Sequence, residues 1–178
     1  MMNNNFYKDP ILERIKNILE KNCVKELKGR FYFGEPVVVA KNSLPLCFME
    51  YTEQDVEDSA AFEITTNLTV KLTVAVDLTR DLTTNAKNIN SFATLHRIVC
   101  GRNEKMQLLP DSIMGILVKN QDAGYLGERV ALNLGESGVK MEYGYGERGD
   151  GIFTRELSLS FGVKVAEAQS AGFRRSKV

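Results

Sequence analysis

The chain has 178 residues, 43% of them hydrophobic, and its 23 basic and 23 acidic side chains balance to zero net charge. That length suits one domain able to bury roughly 70% of the surface its unfolded form exposes, without metal or disulfide support. Zero net charge argues against a nucleic-acid binder, which carries a basic excess or stripe. It also keeps electrostatic self-repulsion weak, so association with like copies is permitted.

Cys23, Cys47 and Cys100 are odd in number and far apart, with no CxxC and no zinc spacing. They read as three reduced thiols in or near the core, as suits a reducing cytoplasm. The opening MMNNNFYKDP has no basic segment followed by an apolar stretch, so no signal peptide is expected. No run approaches the ~20 apolar residues of a membrane span, and no membrane partner is expected.

Residues 1–8 are polar and lack periodicity, which predicts an N-terminal arm ahead of a single domain over 9–166. A helix then begins: Asp9 is placed to cap it and Pro10 sits at its first position, where a missing N–H costs nothing. Ile11, Leu12, Ile15, Ile18 and Leu19 form one apolar stripe at helical spacing. Over 30–57, Val37, Val38 and Val39 follow Pro36, and Leu46 to Met49 follow Pro45. Both runs read as strands that begin at the proline or lie at a sheet edge. Residues 50–58, EYTEQDVED, are acidic and read as a surface loop.

The clearest pattern covers 62–78, where Phe62, Ile64, Leu68, Val70, Leu72, Val74, Val76 and Leu78 alternate with polar residues. Seventeen strand residues span roughly 55 Å, about three times a common strand, so this one either bends or overhangs its domain with backbone groups unpaired. A helix is expected over 85–100, with Ile89, Phe92, Ala93, His96 and Val99 on one face and Gly101 as its stop. DSIMGILVKN, 111–120, is ambiguous: Asp111 or Ser112 can cap a helix that Gly115 weakens. Val130, Leu132 and Leu134 alternate. So do Val139 to Tyr145 and then Leu157 to Val165, and the last two strands read as a hairpin around GERGDG. Residues 167–178 read as a C-terminal tail whose end is basic, with Arg174, Arg175 and Lys177.

Chemistry is sparse. GYGERG at 144–149 fits GxGxxG, but strand pattern rather than helix pattern follows it, so it reads as a hairpin tip and not a dinucleotide loop. His96 has no nucleophile or carboxylate beside it in a known catalytic arrangement. The acids of 50–58 lack the spacing and glycine of a calcium loop. No catalytic residue, cofactor or metal ligand is assigned. Tyr143, Tyr145, Arg148 and Arg155 lie on the terminal hairpin, and tyrosine and arginine are enriched at protein interfaces.

The order of elements carries a resemblance. ILERIKNIL leads into VVVAKNSLPLCFMEY; then come the threonine-rich FEITTNLTVKLTVAVDL, a helix containing ATLHRIV, and a closing strand of the type R-x-E-L-S-L-S-F-G-V. Over residues 9–166 this resembles the tail terminator and related neck or head–tail joining proteins of tailed bacteriophages. The resemblance implies an α+β fold, a mixed, mainly antiparallel sheet with an N-terminal and a central helix packed on it and one long protruding strand or hairpin.

It further implies a structural virion protein assembled in the host cytoplasm. Such proteins form rings, commonly hexameric, that cap the tail tube and face the head-side connector while DNA passes through the lumen without sequence-specific binding. No cofactor or catalysis is implied. The subunit or partner interface expected from it uses Thr65, Thr69, Lys71 and Thr73 of the long strand together with Tyr143, Tyr145, Arg148 and Arg155. The acidic 50–58 and basic 172–178 segments are additions to the family pattern. Other readings are a neighbouring connector or tube component, a small enzyme built around His96 and the acidic segment, or a carrier whose sheet encloses a ligand.

Overall fold

The computed structural model describes residues 9–59, 63–79, 81, 90–121, 129–135, 138–149 and 151–168. The expected N-terminal arm and all but the first two residues of the expected tail lie outside them.

Helix α1, Pro10–Asn22, forms as its sequence dictates: Asp9 Oδ1 accepts from the amides of Ile11 and Leu12, each at 2.9 Å. Leu12, Ile15 and Leu19 are buried, and Ile11 and Ile18 pack beside them. The Tyr51 hydroxyl donates to the same Asp9 oxygen at 2.7 Å, pinning the start of the helix to the sheet.

Among the described residues the sheet has six strands: β1 Phe31–Phe33, β2 Leu46–Ser59, β3 Glu63–Asp77, β4 Val130–Asn133, β5 Lys140–Glu147 and β6 Phe153–Ala168. The spatial order is β1-β2-β3-β6, with β4 and β5 lying end to end along the far side of β6. Only the β1–β2 pair is parallel. The fold is therefore α+β with a mixed, mainly antiparallel sheet, as the sequence predicts.

Period two in β3 creates two different faces. Leu68, Val70, Leu72, Val74 and Val76 are buried together with Leu157, Leu159, Phe161, Val163 and Val165 of β6. This face is covered by α1, by α2 (Ser91–Cys100) and by α3 (Ile113–Asn120). The other face is polar except at one end, where Leu46, Phe48 and Ala75 meet Val39 and Leu44 in a second small core.

Four expectations need correction. First, β3 has no unpaired backbone overhang, because Glu63–Ala75 pairs with β2 and Glu63–Asp77 with β6. Secondly, the acidic stretch 50–58 is not a loop but the outer part of β2, held to β3 across a bulge between Tyr51 and Glu53. Thirdly, Val37–Val39 is not a strand. Val37 and Val38 are exposed, and only Val39 turns inward to cap the small core. Fourthly, α2 starts at Ser91, capped by Asn90, and buries Ser91, Leu95, Ile98 and Val99 rather than Phe92, Ala93 and His96; Ile89 and the rest of 82–89 lie outside the described residues.

The ambiguous 111–120 segment is a helix. The Ser112 hydroxyl accepts from the Gly115 amide at 3.1 Å and donates to the Leu109 carbonyl at 2.7 Å. Gly115 is required by space: an added Cβ would collide with the Leu109 carbonyl oxygen, a backbone atom of the turn that enters the helix. Gly115→Ala is therefore expected to lose about 1–3 kcal/mol of stability, even though alanine ordinarily favours a helix by ~1 kcal/mol. A urea unfolding titration measures it.

Candidate interaction surface

The face of α2 that turns away from the core builds a surface together with β5. The β5–β6 register places Met141 opposite Leu159, Tyr143 opposite Leu157 and Tyr145 opposite Arg155, all on the side of the sheet that carries the helices. Here the buried face continues outward without cover. Phe92 stacks on Tyr143 with centroids 5.7 Å apart and lies 5.8 Å from the His96 ring. The Arg155 guanidinium sits 5.4 Å from the Tyr145 ring and 5.9 Å from the Phe92 ring, and reaches Asp81 at 4.0 Å.

Tyr145 is 71% exposed, Tyr143 52%, Phe153 45% and Phe92 43%, so this is an open aromatic strip in which Phe92 stacks on Tyr143. Arg155 Nε is buried without a hydrogen-bond partner, which leaves a donor inside the strip unsatisfied. Tyr143, Tyr145 and Arg155, expected as interface residues, are thus brought together. Phe92 was assigned to the core by its helical spacing, and only the cross-strand register of β5 reveals it here.

Arg148 does not belong to this strip. It stands in the β5–β6 turn, 8% exposed, where Nε and Nη2 donate to Glu156 at 2.9 and 2.8 Å and Nη1 donates to Glu35. Its guanidinium also lies 5.1 Å from the Phe48 ring. Burial opposes the charge, but the hydrogen bonds to Glu156 and Glu35 outweigh that and raise the Arg148 pKa. The residue clamps the 35–45 segment to the hairpin and closes the small core.

The glycines of GYGERG serve this turn. Gly149 has φ +78°, as a tight reversal requires, and a Cβ at Gly146 would strike the Glu156 carboxylate. The segment is a hairpin tip followed by a strand, as its context predicted.

The four candidates on β3 lie on the polar face. Thr73 is buried and hydrogen-bonded to Ser158 at 2.8 Å. Thr65, Thr69 and Lys71 are half-buried and stand opposite Glu57, Glu53 and Glu50 of β2. Of the three, Thr69 lines an open polar trough of about 670 Å³, with Glu53, Asp55, Asn67 and Lys164 among its walls. Beyond Met49, β2 has no strand on its outer side among the described residues.

His96 is half-buried beside Phe92, and among the described residues no group of histidine, cysteine or carboxylate side chains is arranged to hold a metal. No described helix is long and apolar enough to cross a membrane. Cys23, Cys47 and Cys100 are buried free thiols. Desolvation pushes Cys23 up to about 11, Cys47 well above its usual value and Cys100 upward, so all three stay protonated at neutral pH.

Two outcomes follow. Arg148→Met leaves Glu156 without its partner and is expected to cost about 3 kcal/mol in urea unfolding, part of which Glu156→Gln restores. The Cys23 thiol binds its proton more tightly folded than unfolded, so its contribution is complete below pH 9.0 and is lost as pH rises through about 11. The denaturation midpoint therefore falls across that window, and Cys23→Ala flattens the fall.

No family model matches the chain, and no curated protein matches it.

Proposed function

We propose that this chain is a structural virion protein. It forms a ring, hexameric as in the phage proteins it resembles, at the head-proximal end of a tail, where it stops tube growth and joins the tube to the head connector. Its partners in this reading are further copies of itself, the tail-tube protein and the head-side connector protein, with DNA passing through the lumen. The ring is assembled in the host cytoplasm and resides in the virion.

The observation that carries the reading is the uncovered aromatic strip Phe92–Tyr143–Tyr145–Phe153 beside Arg155. Exposed contiguous aromatic surface on a rigid strand and helix is costly in water and is the composition of interface cores. A contact that is repeated by rotation and closes on itself buries such a strip on every subunit and leaves no free end. The weak electrostatic self-repulsion of a chain with zero net charge favours the same outcome. The outer β2 edge, which pairs with no further strand among the described residues, favours a second form of the reading, a tube component that stacks without limit, because open sheet edges propagate as readily as they close.

Negative-stain microscopy and light scattering test this. The expected result is single rings at micromolar concentration that decorate one end of tail tubes; extended polymers would identify a tube component instead. Tyr143→Ser with Tyr145→Ser is expected to shift the mass toward monomer while moving the melting temperature by no more than a few degrees. A chain that stays strictly monomeric at high concentration and ignores tail tubes defeats the proposal.

A further inference from the structure

Two apolar surfaces stand exposed at one end of the sheet, and they lie on opposite sides of it. One is the aromatic strip, on the face that carries the helices. The other belongs to the strap 35–40, which crosses the opposite face above the small core. Val39 turns inward there, whereas Val37 and Val38 point away and are 84% and 72% exposed. Two adjacent valines standing out to this degree form a convex knob that the fold itself does not bury.

The strap is tied at both ends. Gly34 donates to the Met49 carbonyl at 2.9 Å where the chain leaves β1, and Val39 donates to the Arg148 carbonyl at 3.2 Å where it reaches the β5–β6 hairpin. Between these points the Arg148 guanidinium binds Glu35. Val38 lies against the hairpin turn, since a Cβ on Gly149 would stand 3.3 Å from its Cγ1. A β-branched side chain is stiff at χ1, so fixing the knob in a contact costs little entropy. The strip rests on the same hairpin: Tyr143 and Tyr145 belong to β5, and Phe153 and Arg155 to β6. Knob and strip therefore stand back to back on one element.

We infer that the Val37–Val38 knob of one copy seats on the aromatic strip of the next. A strip laid on a second strip leaves the knobs in water, and a knob laid on a knob leaves the strips there. Only the head-to-tail pairing covers both surfaces at every junction. An aromatic side chain buries ~150–250 Å² and a valine about 100 Å², so at their exposures the four aromatics and two valines remove roughly 600 Å² of apolar surface per junction. That is about half of the ~1,200 Å² at which specific interfaces begin, and the polar rim supplies the rest. Because one hairpin carries both surfaces, it also fixes the angle from each copy to its neighbour, which ring closure requires. The inference rests on the self-assembly reading and deepens it by naming what lies on the strip.

The experiment mixes two impaired chains. Val37→Ser with Val38→Ser removes the knob, and Tyr143→Ser with Tyr145→Ser removes the centre of the strip. Each alone is expected to associate at least roughly tenfold more weakly than the wild type in sedimentation. In an equal mixture one intact knob and one intact strip remain, so a 1:1 dimer forms and grows no further. Oxidation of a chain carrying Val37→Cys with Tyr145→Cys should give a covalent ladder of copies, since the two thiols lie on opposite faces of the sheet and the native cysteines are buried. An unchanged melting temperature shows that these exposed substitutions leave folding intact.

If the chain without its knob associates as tightly as the wild type, this inference fails while assembly through the strip stands. A mixture that yields no dimer overturns it as well. So does a knobless chain that still assembles but no longer decorates tail tubes, because the knob then belongs to a different protein. A wild-type chain that never associates removes both readings together.

Discussion

The fold depends on β3 being hydrogen-bonded along both margins. A strand of this length is tolerable in a domain of this size only because β2 and β6 run beside it for nearly its whole extent. That arrangement buries one row of side chains under the three helices and leaves the other row facing a shallow polar trough. Every surface of interest is then one strand removed from β3. The outer β2 edge lies on one side, and on the other, across β6, lies β5 with its aromatic strip. What the rest of the molecule presents to a partner is set by how far those flanking strands outrun their own cover.

Much of the architecture was legible because it rests on uninterrupted periodicity. Ile15 and Leu19 on α1, Leu68 to Val76 on β3 and Leu157 to Val165 on β6 all repeat at the period of their element and all are buried. The failures have a common physical origin in edges. β2 from Thr52 to Glu57 is exposed on both faces, so no apolar alternation marks it, and the extra residue at Thr52 breaks what polar rhythm there is. Val37 and Val38 look like strand material, but they are surface residues beside the one valine that caps the small core. On α2 the apolar residues outnumber the positions the core can accept. Phe92 was read inward when the aromatic partner waiting on β5 holds it at the surface.

The candidate site was legible only in part for a different reason. Tyrosines and arginines on one hairpin were visible in the sequence, but their division was not. Arg155 joins the strip, whereas Arg148 is consumed by Glu156 eight positions on and by Glu35, 113 positions away. Nothing local distinguishes the two arginines; the difference is made by a loop that returns from the far side of the sheet. Thr73 and Thr65 likewise share a face and a pattern, yet only one lies beneath the small core's rim, hydrogen-bonded to Ser158. Sequence identifies which residues share a face, and tertiary closure decides how much of that face is left open.

The bulge in β2 has a consequence for any chain that anneals to it. Up to that point the odd-numbered residues direct backbone groups outward, since the Cys47 amide donates to Arg30 and the Met49 carbonyl accepts from Gly34. One additional residue shifts the sequence phase, so that from Gln54 onward the outward groups belong to even positions. β1 therefore cannot simply be prolonged, and a guest strand cannot zip along the whole margin unless it carries a matching irregularity. The margin is thereby divided into an inner berth already taken and an outer berth of fixed length, a built-in ruler that limits how much of a visitor can be admitted.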